Sequence, residues 1–233
     1  MSKYSDTIYA LSTPPGKSAI AVIRVSGKKV LKIFKQITRK SKITPNKTNL
    51  VFLKNNDALI DQVLVIYFKS PNSFTGEDVL EINCHGGLAV IDKINKTLED
   101  VGARLAEPGE FTKRALLNNK IDLVKTESIS DIINAETEKQ RELAIKNISG
   151  GLSEFTREIN KKITTNLANL ETLIDFSDED LPKNVLKKIK EQNKNIIKDI
   201  SKELKTAEAS KPIREGVRIG IIGKPNTGKS SFI

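Results

Sequence analysis

The sequence predicts a mixed α/β (α+β) domain over residues 1–119, an all-α region over 120–215, and the first strand and loop of a third domain over 216–233. Three observations support this division. In the first region, short segments rich in Ile and Val alternate with turn-forming residues, as in strands. In the second, apolar residues recur every three or four positions, as on one face of a helix. The third begins with an apolar run, residues 219–222, which is a predicted strand and leads into a glycine-rich loop; the segment SKPIREG, residues 210–216, is the predicted linker before it.

Four segments of the first region are predicted strands, because they are rich in β-branched residues and bounded by Pro, Gly, Asn and Ser. They are residues 7–13, 18–27, 61–70 and 78–84. Two helices are predicted in the same region, KKVLKIFKQIT over 28–38 and LAVIDKINKTLEDVG over 88–102, the second of which ends at a glycine. A further helix is predicted to begin at Thr112, after the turn formed by Pro108 and Gly109.

The second region is predicted to contain three long helices. The first spans 123–148 and is closed by Gly150 and Gly151, which suit a helix end. The apolar stripes of the other two comprise Leu152, Phe155, Ile159, Ile163, Leu167, Leu170 and Ile174, and then Val185, Ile189, Ile196, Ile200 and Leu204. The acidic segment 177–182 is the predicted turn between them, because Pro182 cannot continue a helix. We expect these stripes to be buried against each other or against another subunit.

The composition limits the partners and the compartment. With 39 Lys and Arg against 29 Asp and Glu, the net charge is +10, which favours polyanionic partners such as nucleic acid; a solvated, lysine-rich surface explains the charge equally well. The single cysteine, Cys84, excludes an internal disulfide framework and an all-cysteine metal site, as expected in a reducing compartment. Apolar runs fall short of the roughly 18–20 residues of a membrane span, and the N-terminal residues do not resemble a signal peptide. The sequence therefore predicts a soluble, cytoplasmic protein.

The glycine-rich loop near the C-terminus is the most specific chemical motif. Gly223-Lys-Pro-Asn-Thr-Gly-Lys-Ser fits the pattern Gly-x-x-x-x-Gly-Lys-Ser and follows a β-branched run. In this pattern, backbone N–H groups bind phosphate oxygens, Lys229 reaches the β and γ phosphates, and the Ser230 hydroxyl binds Mg²⁺. The residues present do not distinguish GTP from ATP. Hydrolysis needs in addition an acidic Mg²⁺ ligand and a group that positions water, so the motif predicts nucleotide binding only.

The segment SPNSFTGEDVLEINCHGG, residues 70–87, combines turn-forming residues with one predicted strand. Glu81 on that strand can accept paired hydrogen bonds from an amidine-like edge, such as that of a pterin ring; an exposed strand glutamate is the alternative. Cys84 and His85 suggest a nucleophile and a base. Neighbours on a strand point to opposite faces, however, so packing and turn roles are favoured over a dyad. Because His85 is the only histidine, a metal cluster is not expected.

Three basic residues follow in the segment EPGEFTKRALLNNKIDL. Lys113, Arg114 and Lys120 can pair with anionic groups of a ligand, and solvated side chains are the alternative. The sequence alone does not decide between these roles.

Four motifs in this order resemble those of the MnmE/TrmE family, the tRNA modification GTPases. They are TPPGKSAIAVIRVSG, PNSFTGEDVLEINCHGG, EPGEFTKRALLNNKIDL and GKPNTGKSS, and the match runs from about Asp6 to the last residue. The resemblance implies an N-terminal folate-binding domain that dimerises, over 1–119, the first part of a helical domain, over 120–215, and the start of a GTPase domain, over 216–233. In the family, the GTPase domain is inserted into the helical one.

The resemblance also implies an activity and partners. Family members hydrolyse GTP, and K⁺ and dimerisation of the GTPase domains stimulate the reaction. With a flavin-dependent partner, they add a carboxymethylaminomethyl-type group to the wobble uridine of certain tRNAs, using a tetrahydrofolate one-carbon unit. For this chain, the resemblance implies a homodimer through the N-terminal domain, a heterotetramer with the flavin-dependent protein, and tRNA as substrate. The implied cofactors are K⁺, Mg²⁺ and 5-formyltetrahydrofolate or a related folate.

Position by position, the resemblance assigns Arg24, Glu81 and Lys120 to formyl-tetrahydrofolate. The assignment is chemically sensible, because folate offers a pterin donor edge to an acid and anionic glutamate carboxylates to two bases. The GTP segment comprises Asn226, Thr227, Gly228, Lys229, Ser230 and Ser231. Within it, Asn226 matches the K⁺ ligand and Ser230 the Mg²⁺ ligand, and no residue is assigned as catalytic.

This sequence departs from the family pattern after the phosphate loop. The switch regions, the guanine-reading motif, the remaining helices and the Cys-containing tail of complete members do not follow, so we expect a truncated chain that does not itself turn over GTP. Three interpretations stay open: part of a tRNA-modifying GTPase, a folate-binding dimer formed by residues 1–119, and a helical interaction fragment whose exposed stripes associate with other surfaces.

Overall fold

The computed structural model describes residues 6–175, 184–216, 220–224, 227–228 and 230. The chain divides into two compact units, with the division between Thr126 and Glu127. The first unit contains a mixed sheet with helices, and the second is helical, which confirms the predicted fold class for these two parts.

A six-stranded sheet of order β3-β4-β5-β2-β1-β6 forms the N-terminal unit. The strands are β1 Thr7–Leu11, β2 Ser18–Gly27, β3 Thr48–Asn55, β4 Ala58–Phe68, β5 Val79–Gly86 and β6 Arg104–Leu105. Neighbouring strands are antiparallel, except that β1 and β6 are parallel. The four predicted strands are confirmed. Two strands were not predicted from the sequence: the two-residue β6, and β3, which pairs with β4 across a tight turn at Asn56 with φ of 52°.

The three helices of this unit are α1 Val30–Thr38, α2 Leu88–Asp100 and α3 Glu110–Leu117. Helices α1 and α2 were predicted, and their buried residues share one core with alternate residues of β2 and β5, including Ile23, Val25, Leu80 and Ile82. The alternation places Arg24 and Glu81 on the opposite face of the sheet. The predicted start of α3 at Thr112 is wrong by two residues, because Gly109 adopts φ of 75° and caps a helix that begins at Glu110.

The helical unit contains α5 Glu138–Ile148, α6 Gly151–Asp175 and α7 Val185–Glu215, and α4 Leu123–Ile133 spans the division between the units. The prediction of one helix over 123–148 is wrong. The side chain of Thr137 accepts a hydrogen bond from the Gln140 N–H, and the Gln140 side chain accepts one from the Thr137 N–H, so a capping box starts a new helix there.

Two further predictions at the end of the chain are wrong. The predicted linker over 210–216 is helical as far as Glu215, with Pro212 inside α7. The strand expected over the apolar run 219–222 begins outside the described residues, and residues 220–222 have no regular secondary structure. The predicted turn over 177–182 lies outside the described residues.

The apolar stripes of α6 and α7 are only partly buried. Ile159, Ile189 and Ile196 are buried, whereas several stripe residues are exposed, namely Leu152, Ile163, Leu167, Ile174, Ile200 and Leu204. Within the described residues the stripes are therefore only partly buried against each other, and burial of the rest against another subunit stays a prediction. Among the described helices, none is long and apolar enough to cross a membrane.

Candidate functional site

Arg24 on β2 and Glu81 on β5 are direct cross-strand neighbours. The Arg24 Nε and Nη2 atoms both donate to Glu81 Oε1, at 3.0 and 2.7 Å. Their side chains keep 28% and 22% of their surface exposed. The sheet thus brings together two of the predicted folate contacts on the face opposite the core, where a ligand can reach them.

This pair has hydrogen-bonding capacity left over. Among the described residues, no donor bonds to Glu81 Oε2 and no acceptor bonds to Arg24 Nη1, since both contacts of the pair use other atoms. A carboxylate has about four acceptor sites and a guanidinium has five N–H donors. The pair therefore presents an acceptor and donors side by side.

Two phenylalanines lie beside the Arg24 guanidinium. The Arg24 Cζ atom is 5.5 Å from the ring centroid of Phe74 and 5.9 Å from that of Phe111, both within cation–π range. Phe74 belongs to the loop before β5 and Phe111 to α3. Neither residue was predicted from the sequence. A usable signal was present, because aromatic residues make up only 5% of the chain and each of these two motifs contains one.

Buried polar side chains form hydrogen bonds to the loop that carries Phe74. Ser26 Oγ lies 2.7 Å from Thr75 Oγ1 and donates to Glu77 Oε2 at 2.8 Å. Asn118 Nδ2, at the end of α3, donates to the Thr75 carbonyl at 2.7 Å. These contacts fix the loop between the sheet and α3.

Arg114 is the centre of the ion-pair network under this loop. Its side chain is fully buried and bonds to Glu77, Glu110 and Asp6, with Nη–O distances of 3.2, 2.9 and 2.8 Å. Neither role considered for Arg114, a ligand contact or a solvated side chain, is therefore correct. The sequence did not reveal this because two of the three carboxylates, Glu77 and Asp6, lie 37 and 108 residues from Arg114.

Arg104 joins the same network from β6. It bonds to Asp6 at 2.7 Å and to Glu110 at 2.8 Å. Burial by itself raises the pKa of Glu110, but hydrogen bonds from Arg104, the Glu107 N–H and Arg114 outweigh it and lower that pKa to about 2. The Glu110 carboxylate is therefore ionised across the physiological range.

Lys120, the third predicted folate contact, follows α3. Its backbone N–H donates to the Ala115 carbonyl at 2.9 Å, and the side chain is exposed. The aliphatic part of the Lys120 side chain, its stem, lies next to Gly76. Gly76 belongs to the loop that also carries Phe74. The structure thus places Lys120 against the same loop as Phe74, while Arg24 and Glu81 contact each other directly.

Cys84 and His85 do not form a dyad. Cys84 is buried in the core, its Sγ lies 3.5 Å from the Ala21 carbonyl, and burial, followed by the charge of Asp61, raises the pKa of its thiol to about 11. His85 points to the other face, where its Nδ1 lies 2.7 Å from Asp61 Oδ1. This arrangement agrees with the packing and turn roles favoured from the sequence.

The predicted phosphate loop is described only in part. Asn226, Lys229 and Ser231 lie outside the described residues. Gly228 adopts φ of 77°, a conformation that glycine favours, and Thr227 Oγ1 donates to the Lys224 carbonyl at 2.8 Å. Together with Ser230, these residues give no geometry for a nucleotide or a metal, so the GTP, K⁺ and Mg²⁺ assignments stay predictions.

Comparison with known proteins covers nearly the whole chain. The family model of the GTP-binding protein TrmE N-terminus matches residues 7–120, and that of the MnmE helical domain matches residues 123–226. The chain is 45% identical over 234 residues to the tRNA modification GTPase MnmE of Clostridioides difficile, covering 98% of this chain and 51% of that protein.

Relatives from other bacteria show the same coverage. The tRNA modification GTPases MnmE of Rickettsia bellii and Pelagibacter ubique are 45% and 44% identical over 232 and 233 residues, and 52% of each is covered. The chain thus spans about half the length of the curated relatives it matches. The adjacent matches to the two domain models, together with these relatives, show that the chain belongs to the MnmE/TrmE family of tRNA modification GTPases.

Proposed function

We propose that this chain provides the folate-binding and helical parts of a GTPase that modifies the wobble uridine of certain tRNAs. The observation that carries the proposal is the Arg24–Glu81 pair, with an open carboxylate oxygen and open guanidinium donors beside Phe74 and Phe111. The proposed domains are the folate-binding domain over 1–119, the first part of the helical domain over 120–215 and the start of the GTPase domain over 216–233.

Formyl-tetrahydrofolate fits this set of side chains. The pterin ring carries an amidine-like donor edge, and Glu81 Oε2 is an acceptor that the described residues leave open to it. The glutamate tail of folate is anionic, and Lys120 and the free edge of Arg24 are the bases that suit it. When bound, the folate supplies the one-carbon unit that is transferred to uridine.

The same face of the sheet suits a symmetric dimer. Four apolar side chains on the face of Arg24 and Glu81 are exposed, namely Ile20, Leu50, Phe52 and Leu64. A twofold axis pairs identical patches, so one apolar face is sufficient for a homodimer. A second copy of this chain is the proposed occupant of the face. The folate sites would then lie beside the dimer interface.

The remaining parts of the proposal concern the nucleotide and the partners. The loop 226–231 binds GTP, with Ser230 as the Mg²⁺ ligand and Asn226 as the K⁺ ligand. A flavin-dependent protein joins the dimer in a heterotetramer that acts on tRNA. Support comes from the family membership and from the left-handed conformation of Gly228.

A second candidate function is a folate-binding dimer that works independently of GTP hydrolysis. The observation in its favour is that the N-terminal unit has its own continuous core. Folate affinity that is unchanged when GTP is added favours this second candidate, whereas coupled binding favours the first.

Calorimetry with 5-formyltetrahydrofolate tests the folate site. Because hydrogen bonds to charged groups contribute about 1.5–3 kcal/mol, we expect Glu81→Ala to weaken binding by roughly 10- to 100-fold. Glu138→Ala is the matched control, since Glu138 is an exposed carboxylate on α5 that pairs only locally with Arg141. Equal affinity of Glu81→Ala and Glu138→Ala would overturn the site.

A further inference from the structure

We propose that Gly76 is a positioning residue of the folate site, because it leaves the space in which the Lys120 side chain lies and thereby sets the place of the Lys120 ammonium group. The inference rests on the proposed function, in which Lys120 contacts the anionic part of folate. Nothing about the family match assigns a role to Gly76.

There is little space for a side chain between Gly76 and Lys120. A Cβ atom added to Gly76 would lie 3.0 Å from Lys120 Cγ and 3.1 Å from Lys120 Cδ, and 3.3 Å from Asn118 Cβ. These separations are shorter than ordinary van der Waals contacts between carbon atoms. Any side chain at position 76 would therefore displace the stem of Lys120.

The loop cannot easily move away to make room. Thr75 and Glu77, on either side of Gly76, are buried and bonded to Ser26. The Gly76 carbonyl accepts a hydrogen bond from Ser70 Oγ at 2.9 Å. Since hydrogen bonds hold the loop at three consecutive residues, a side chain added at position 76 should move the flexible Lys120 side chain and not the loop.

A fixed stem matters for binding because a lysine side chain has much rotational freedom. Ordering a free lysine on binding costs conformational entropy, and a side chain that is already restrained loses less. The Lys120 stem lies in the space that Gly76 leaves beside Asn118, and Lys120 as a whole is exposed. Gly76 thus pre-organises the cation for an anionic ligand.

The variant Gly76→Ala needs a control for backbone strain, because any residue with a Cβ is strained at the φ of 76° that Gly76 adopts. Gly102 provides one. It has φ of 86°, and in the described part of the chain Lys29 Nζ, at 3.9 Å, is the only atom within 4 Å of an added Cβ. Gly102→Ala therefore introduces similar backbone strain at the end of α2 without touching Lys120.

Binding of 5-formyltetrahydrofolate to the full chain is measured for wild type, Gly76→Ala, Gly102→Ala, Lys120→Ala and the double variant Gly76→Ala/Lys120→Ala. We expect Gly76→Ala to raise Kd about 5- to 10-fold and Gly102→Ala to leave Kd unchanged. The double variant should bind as weakly as Lys120→Ala alone, because the effects of two residues that act through the same contact on Kd do not add. Equal Kd for Gly76→Ala and Gly102→Ala, or additive losses in the double variant, would overturn the role of Gly76.

A second measurement needs no ligand. NMR relaxation reports the order of the Lys120 side chain, and we expect that order to fall in Gly76→Ala but not in Gly102→Ala. Unchanged order in Gly76→Ala overturns the inference, whatever the affinity for folate. Reduced order in Gly76→Ala combined with no folate binding by wild type would show that Gly76 sets the place of the Lys120 side chain, and it would overturn the proposed function.

Discussion

The two units of this chain stabilise their structures in different ways. In the N-terminal unit, long-range contacts dominate: strands and helices distant in sequence share one core, and Arg114 bonds to carboxylates that lie 37 and 108 residues away. In the helical unit, most hydrogen bonds of side chains connect residues three or four positions apart, as in the bond from Thr165 to Lys161. The candidate folate site lies in the unit whose side chains are held from several directions. A pre-organised binding site requires such support from the surrounding side chains.

The largest effect should come from removing the charge at the centre of the ion-pair network. Arg114→Met removes the buried guanidinium that bridges the carboxylates of Glu77 and Glu110, so we expect a loss of about 3–5 kcal/mol in the stability of the N-terminal unit. Hydrogen exchange read by mass spectrometry in peptides from β2 and β5 measures the change within this unit.

The helical unit offers the matched variant. Arg141 also forms a close ion pair, to Glu138 at 2.6 Å, but both side chains are more than half exposed. Arg141→Met should leave exchange in α5 and α6 unchanged, because exposed pairs contribute little. Similar losses from the two substitutions would show that the network around Arg114 is no more important than a surface pair.

A second comparison uses leucines from the two units. Leu98 on α2 is fully buried in the sheet core, and its replacement by Ala should cost about 3 kcal/mol. Leu167 on α6 is 54% exposed, so Leu167→Ala should cost less than about 1 kcal/mol. Urea denaturation followed by circular dichroism and by local hydrogen exchange tests both. An equal cost for Leu167→Ala would mean that its side chain is covered in solution.

The difference between the units also explains which features the sequence could predict. The strands around Arg24 and Glu81 were predictable, because alternating β-branched residues and turn residues are local signals. The register that places Arg24 opposite Glu81 was not predictable from periodicity, since it depends on the pairing of two strands 57 residues apart. The buried role of Arg114 was hidden for the same reason. In the helical unit, periodicity gave the long helices but missed the break at Thr137, where a side-chain cap overrides an otherwise continuous pattern.

The pH dependence of stability should differ between the units. The pKa of Glu110 is lowered to about 2 in the folded chain from an ordinary value of 4.5. Between these values the unfolded chain binds more protons, so the stabilisation is complete above about pH 4.5 and is lost as the pH falls towards 2. We expect the N-terminal unit to lose roughly 2 kcal/mol from this group over that window.

Urea midpoints measured from pH 5 to pH 2.5 test this expectation. Glu110→Gln lowers stability at pH 5, but its stability should then depend less on pH than that of wild type. Glu138→Gln is the control in the helical unit, because its carboxylate also pairs with an arginine but is exposed. An unchanged pH slope in Glu110→Gln would contradict the proposed contribution of Glu110.

The smallest expected effect has the opposite sign. Asn166 on α6 is buried, and its Nδ2 donates to Asn193 Oδ1 on α7 at 2.8 Å, whereas its own Oδ1 accepts no hydrogen bond from the described residues. A buried acceptor without a donor is costly, so Asn166→Leu should stabilise the helical unit by about 1 kcal/mol. Asn193→Ala should destabilise it by a similar amount, because the Asn166 amide then loses its acceptor as well.

Opposite signs for these two variants, measured by hydrogen exchange in α6 and α7, would sharpen the contrast between the units. At Arg114, each buried charge has partners on several elements, so replacing the arginine can only remove interactions. At Asn166, one of two polar atoms is unpaired, so an apolar replacement removes a cost together with a single hydrogen bond. Destabilisation by Asn166→Leu would mean that the Asn166 side-chain carbonyl accepts a hydrogen bond in solution. Buried polar groups would then be hydrogen-bonded in the helical unit as they are in the N-terminal unit.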